Sequence, residues 1–147
     1  MSKPDNSHFT IHVDGASRGN PGPAGIGITI EDKEGASKVR ISSYIGQTTN
    51  NQAEYKALIT GLREAARLKA EHVDIKTDSK LVVEQVRGAY KVRHANLKPL
   101  FQEAKQLLAE FRSFTITHIP RHQNKTADAL ANEALDRYLG RRTHAGK

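Results

Sequence analysis

The spacing of apolar residues switches from two to about three and a half at Asn51, and this switch constrains the fold more than any other feature. Before it, Phe9, Ile11 and Val13 alternate with Thr10, His12 and Asp14, and Ile26, Ile28 and Ile30 alternate with Gly27, Thr29 and Glu31. That is the period of half-buried strands. Val39 and Ile41 predict a third strand, broken at SSYIG, and the turn residues of GNPGPAG and EDKEGAS join the three as an antiparallel meander. After it, Leu58, Leu62, Ala65 and Ala66 recur at helical spacing through Lys69. Val73 and Ile75 make a short strand ending at Thr77-Asp78, and Leu81, Val82 and Val86 begin another helix. Leu97, Leu100, Phe101, Ala104, Leu107, Leu108 and Phe111 form a strongly amphipathic helix, with Asn96 as its cap and Pro99 tolerated in its first turn. Phe114 to Ile119 predicts a last strand, and Ala127, Leu130, Ala131, Ala134, Leu135 and Tyr138 a last helix. The order βββαβααβα belongs to a mixed α/β sheet, hairpins first and then parallel strands returning through right-handed helical crossovers.

A chain of 147 residues with 37% hydrophobic content suits one domain with one core. We expect that domain at 8–139, between a polar, flexible lead-in at 1–7 and a basic, flexible tail at 140–147. No apolar run approaches the ~18 residues needed to span a bilayer, and MSKPDNSHF lacks the apolar centre of a secretion signal. The expectation is a soluble, cytoplasmic protein without membrane partners. The absence of cysteine removes disulfides and thiolate metal sites, leaving oxygen or imidazole ligands. Lys+Arg at 23 against Asp+Glu at 16 leaves a surplus of +7, which favours polyanionic partners without demanding them.

Against that basic background four acids stand out, each in its own segment: Asp14 in HVDGASRGNPG, Glu54 in TTNNQAEY, Asp78 in IKTDSK and Asp128 in NKTADALAN. Asp14 precedes a glycine-rich turn, and Asp78 ends one strand and begins a helix. In sheets with parallel strands, the carboxyl ends of the strands make the crevice where ligands bind. Glu54, placed in the first turn of its helix, has Leu58, Gly61 and Leu62 on its face, and Asp128 has Ala131 and Leu135 on its own. Each acid alone also has a local explanation. Asn51 with Glu54 fits a capping box, Asp78 an N-cap, Asp14 a turn, and Asp128 a helix N-terminus. Capping does not explain acids in the first strand and on inward helix faces, and convergence of all four would call for magnesium or manganese.

DGASRGNPGPAG with Asp14, TTNNQAEYKAL with Glu54, TDSKLVVEQ with Asp78 and NKTADALANEAL with Asp128 resemble, in this order, the ribonuclease H family of type 1. The likeness runs from about Phe9 to about Tyr138. It implies a five-stranded mixed sheet with helices on both faces and an endonuclease that cuts the RNA strand of RNA/DNA hybrids, leaving 3′-hydroxyl and 5′-phosphate ends. It also implies that Asp14, Glu54, Asp78 and Asp128 hold two divalent ions, magnesium as a rule and manganese as a substitute. Family positions that read the hybrid fall on Gly15, Ala16, Ser17, Asn20, Asn50 and Asn51, and those that grip a DNA phosphate on Thr49 and Asn20.

The chain departs from the family pattern in three places. Lys80 stands where many members have glutamine, so it can touch phosphate but cannot accept a hydrogen bond. Only AYKVRHAN, residues 89–96, joins the two middle helices, where some members insert a basic, tryptophan-bearing loop; this chain has no tryptophan. We therefore expect the compact form, without the basic protrusion or an appended hybrid-binding domain. The loop PRHQNKTAD leaves Arg121 and His122 as alternatives for the residue that assists catalysis or product release, His118 falling too early, on the last strand. A monomer without an obligate protein partner is expected. DNA-cutting nucleases of the same fold and a non-catalytic hybrid-binding module are the alternatives.

Overall fold

The computed structural model describes residues 7–145, with side chains through residue 140. Three strands come first, β1 (His8–Ser17), β2 (Gly22–Asp32) and β3 (Ser37–Thr48), followed by helix α1 (Asn50–Arg67). Strand β4 (His72–Thr77), helices α2 (Lys80–Val86) and α3 (Lys98–Leu108), strand β5 (Ser113–His118) and helix α4 (Lys125–Ala145) complete the fold, with one 3-10 turn at Arg121–Gln123. The sheet has five strands in the order β3-β2-β1-β4-β5. β1 pairs antiparallel with β2 and parallel with β4, which is parallel to β5. The expected order and the mixed sheet are therefore present.

Helices cover both faces. Ile11, Val13 and Ile28 lie under α1, where a Cβ built on Gly61 would come within 3.0 Å of Ile11 and 3.1 Å of Val13. One buried cluster joins these strand residues to Leu58 and Leu62 of α1, Val82 and Val83 of α2 and Ala104 and Leu108 of α3. Across the sheet, α4 lies on β2, where a Cβ on Gly27 would fall 2.0 Å from the Ala127 carbonyl and one on Gly25 2.5 Å from that of Ala131. The glycines of the alternating β2 pattern thus form the seat for a helix whose buried face is largely alanine. No helix among the described residues is long and apolar enough to cross a membrane.

Four local expectations are corrected. β3 is not broken at SSYIG; it runs through, with a bulge where Gly25 pairs with Tyr44 but Ala24 with Gly46, and Gly46 takes φ 87°. Helix α1 is capped by Thr49, whose hydroxyl accepts from Gln52 N–H while the Gln52 side chain returns to the Thr49 N–H. Glu54 therefore sits in the second turn, free of any capping role. Asn96 does not cap α3: Leu97 occupies that position without a side-chain bond, its own side chain being buried in the core, and Pro99 lies in the first turn as expected. Helical backbone continues to Ala145, past the end of the domain as drawn from sequence, while residues 1–6 of the lead-in and 146–147 of the tail lie outside the described residues.

Candidate active site

The parallel register of β1 with β4 pairs Val13 with Thr77, so the next residues, Asp14 within β1 and Asp78 just past β4, lie side by side where that pairing ends. Asp78 is available there because its neighbours carry the local hydrogen bonds. Thr77 Oγ1 accepts from Ser79 N–H at 3.1 Å, and Ser79 caps α2 by accepting from Val82 N–H. The second turn of α1 approaches the same point across Gly15, where a Cβ would lie 2.3 Å from the Ala53 carbonyl, a spacing only glycine permits. This close approach lets Gly15 N–H donate to Glu54 Oε1.

One carboxylate oxygen each from Asp14, Glu54 and Asp78 lie within 4.8 Å of one another. Asp128, from the first turn of α4, lines the same cleft of about 250 Å³ and comes close enough to Asp14 to share a hydrogen bond when one of the pair is protonated. Asp14 is 5% exposed and Glu54 6%, so both would carry charge where water cannot offset it. Burial, and after it the charges of Glu54, Asp78 and Asp128, push the Asp14 carboxyl up to about 10. Burial pushes Glu54 up to about 8, with the Gly15 N–H pulling the other way. A cluster of this kind needs protons or cations, and its all-oxygen donor set suits hard divalent ions.

Arg121 lines this cleft, its Nη2 3.3 Å from Asp128 Oδ1. His122 faces elsewhere, into a separate hollow of about 260 Å³ shared with His12, Glu31 and Asn124. Gly15, Ala16 and Asn50 line the carboxylate cleft. The remaining candidates are cross-tied. Ser17 N–H donates to Asn50 Oδ1 at 3.3 Å, Ser17 Oγ to the Thr48 carbonyl at 2.9 Å, and Asn50 N–H to Asn20 Oδ1 at 3.0 Å. Asn20, which precedes a cis proline, shares a second hollow of about 160 Å³ with Thr49 and Asn51. Lys80 is exposed at the start of α2, outside the cleft's lining.

Two contributions escaped the sequence reading. Asn124 is 1% exposed, and its Nδ2 donates to the Val13 carbonyl at 2.9 Å while its own carbonyl accepts the Asp128 N–H. Its place just before the last helix was the available signal. Asn96, whose residue type alone suggests a cap, joins the hollow of Asn20, Thr49 and Asn51 beside His94 of the 89–96 connector.

Residues 12–134 match the family described as reverse transcriptase-like. A protein named ribonuclease HI from Halobacterium salinarum is 45% identical over 85% of this chain. The chain belongs to the ribonuclease H family of type 1. It spans 63% of that halobacterial relative and 35% of the bifunctional protein Rv2228c of Mycobacterium tuberculosis, which is also 45% identical to it. Among solved structures, LC11-RNase H1 in complex with an RNA/DNA hybrid superposes with a TM-score of 0.83 at 42% identity, covering 89% of this chain and 99% of that one.

Proposed function

We propose that this chain is an endonuclease that hydrolyses the RNA strand of RNA/DNA hybrids, leaving 3′-hydroxyl and 5′-phosphate ends, with two divalent ions held by Asp14, Glu54, Asp78 and Asp128. The observation that carries this reading is the approach of three carboxylates, from β1, α1 and the end of β4, to within 4.8 Å of one another. Magnesium is the expected ion, with manganese able to replace it. Bound there, such ions supply Lewis acidity to a phosphoryl oxygen and lower the pKa of water.

The chain's own residues supply position and charge. Asp14 and Glu54 are too buried to stay ionised without a counter-charge, so they release protons as cations enter. Arg121, a fixed cation on the cleft wall, stabilises negative charge on the phosphate under attack, and its single 3.3 Å bond to Asp128 can be exchanged for that contact. The main chain of Gly15 to Ser17 with Asn20, Asn50 and Asn51 can both donate and accept, as reading a 2′-hydroxyl requires. Their mutual hydrogen bonds hold two segments as one recognition surface. Thr49 and Asn20 take a DNA phosphate in the hollow they share, and the exposed Lys80 at the start of α2 adds positive charge. In the same reading the protein works as a cytoplasmic monomer on hybrids left by replication or transcription, and its positive surplus favours such polyanions.

Labelled RNA/DNA, RNA/RNA and DNA/DNA duplexes incubated with magnesium test the assignment. Cleavage confined to the RNA strand of the hybrid is expected. Equal cutting of plain DNA, or binding without cutting, overturns it.

A further inference from the structure

Building on the function proposed above, we infer that Arg18 and Asn132 are positioning residues for Asp128, tying the loop that follows β1 to the fourth carboxylate. Asn132 lies one helical turn beyond Asp128 on α4. Its Nδ2 donates to the Asp128 carbonyl at 3.0 Å and to the Asp128 carboxylate Oδ1 at 3.3 Å. A side-chain amide can present either end to a neighbour, and only the nitrogen end suits a carboxylate. Arg18 makes that choice. Its Nη2 donates to Asn132 Oδ1 at 3.3 Å, and a guanidinium cannot accept, so the amide oxygen is claimed from outside and the NH₂ end turns to Asp128.

Arg18 is itself held at both ends. Its side chain pairs with Asp136 Oδ1 at 2.7 Å, and its backbone N–H donates to the Pro23 carbonyl at 2.8 Å. Gly22 is tucked beneath it, where a Cβ would fall 2.4 Å from the Arg18 carbonyl. On the other side, Arg121 donates to the same Asp128 Oδ1. That oxygen thus takes two donors from the protein, which limits how far the carboxylate can turn. Arg18 lies between Ser17 and Asn20, so a substrate that shifts this loop also moves the strut on Asp128. These bonds are solvent-exposed or half-buried and add little to folding stability, so orientation is what they contribute.

The experiment compares Asn132→Ala, Asn132→Asp, Arg18→Ala and Arg18→Lys with the parent in three measurements: hybrid cleavage, urea unfolding, and manganese titration of hybrid-free protein followed with ¹³C-carboxyl-labelled aspartate. Asn132→Ala should lower kcat about tenfold with KM unchanged within about twofold, and raise the half-saturating manganese concentration about tenfold. Asn132→Asp, which swaps the donor for a like charge, should lose more. Arg18→Ala should lose less, and Arg18→Lys should recover part of that loss. Because Arg18 acts through Asn132, the double alanine variant should be no slower than Asn132→Ala alone. Unfolding midpoints should stay near the parent's.

Parent-like kcat and manganese binding in Asn132→Ala, or losses that multiply in the double variant, overturn the inference. Failure of the parent to cut hybrid would instead sink the proposed function, while the manganese titration and the Asp128 carboxyl signal would still report on the strut.

Discussion

The side-chain amide of Asn124 donates to the main-chain carbonyl of Val13 at 2.9 Å, joining the loop that launches α4 to the residue preceding Asp14. Asn124 also accepts the Asp128 N–H at 3.0 Å, so one buried residue sets the separation between the first and fourth carboxylates. Asn124→Ala removes a buried hydrogen bond that ties the start of α4 to β1. It should cost about 1 kcal/mol in urea unfolding and depress cleavage further than that stability loss alone explains. An unchanged unfolding midpoint would show that the tether carries no weight.

The acids respond to substitution in opposite ways for stability and activity. Asp78→Asn and Asp14→Asn should each abolish cleavage. In chelator, Asp14→Asn should be more stable than the parent, because it removes a buried acid that faces Glu54, Asp78 and Asp128. Denaturation with and without a chelator, beside a cleavage assay, measures both effects. Near-normal cleavage by either variant refutes its role.

Stability of the cation-free protein should fall as pH rises. Asp14 and Glu54 ionise in the folded protein near about 10 and about 8, against ordinary values of 3.8 and 4.5 in the open chain. Between these limits the folded state holds more protons than the unfolded one. Their stabilising contribution is therefore full below about pH 4 and is lost progressively up to the folded values. Urea midpoints in chelator across pH 5 to 9 should decline, and millimolar magnesium should flatten the decline. A profile that rises over that range, or one magnesium leaves unchanged, contradicts the account.

Arg121 and His122 are adjacent in sequence but open onto different hollows. Arg121→Ala should lower turnover about tenfold or more, with Arg121→Lys intermediate because it keeps charge without the planar fork. His122→Ala should change it less than about threefold and leave the shape of the pH–rate curve intact. Loss of an acidic limb in the His122→Ala profile would reverse the assignment.

Gly27→Ala tests how α4 is seated. The added Cβ meets the Ala127 carbonyl at 2.0 Å, one residue before Asp128, and backbone cannot yield as a side-chain end does. About 2 kcal/mol or more of destabilisation is expected, with a fall in kcat beyond it as Asp128 is displaced. Thermal melts and steady-state rates on the same preparation separate the two effects.

Much of this protein could be read before folding, because the decisive signals are local. Alternation in Ile26, Ile28 and Ile30 and the helical spacing of Leu58 and Leu62 follow from the backbone geometry of a strand and a helix, so element order was legible. The four acids were legible from the order of their motifs. What the sequence left open depended on residues distant along the chain. Asn96 looks like a cap, yet Leu97 takes that place because its side chain belongs to the core. SSYIG looks like a break, yet pairing with β2 carries β3 through it with a bulge. Arg121 and His122 differ only in which hollow they enter, a matter of how the 3-10 turn lies on the sheet. Asn124 shows in the sequence only as a residue just before the last helix, since its partner is Val13, 111 positions away. Periodicity is set by neighbours a few residues apart and survives in the bare sequence. A carboxylate's orientation and ionisation depend on which surfaces meet, and only the folded chain brings Asp14, Glu54, Asp78 and Asp128 to a common cleft and buries the first two.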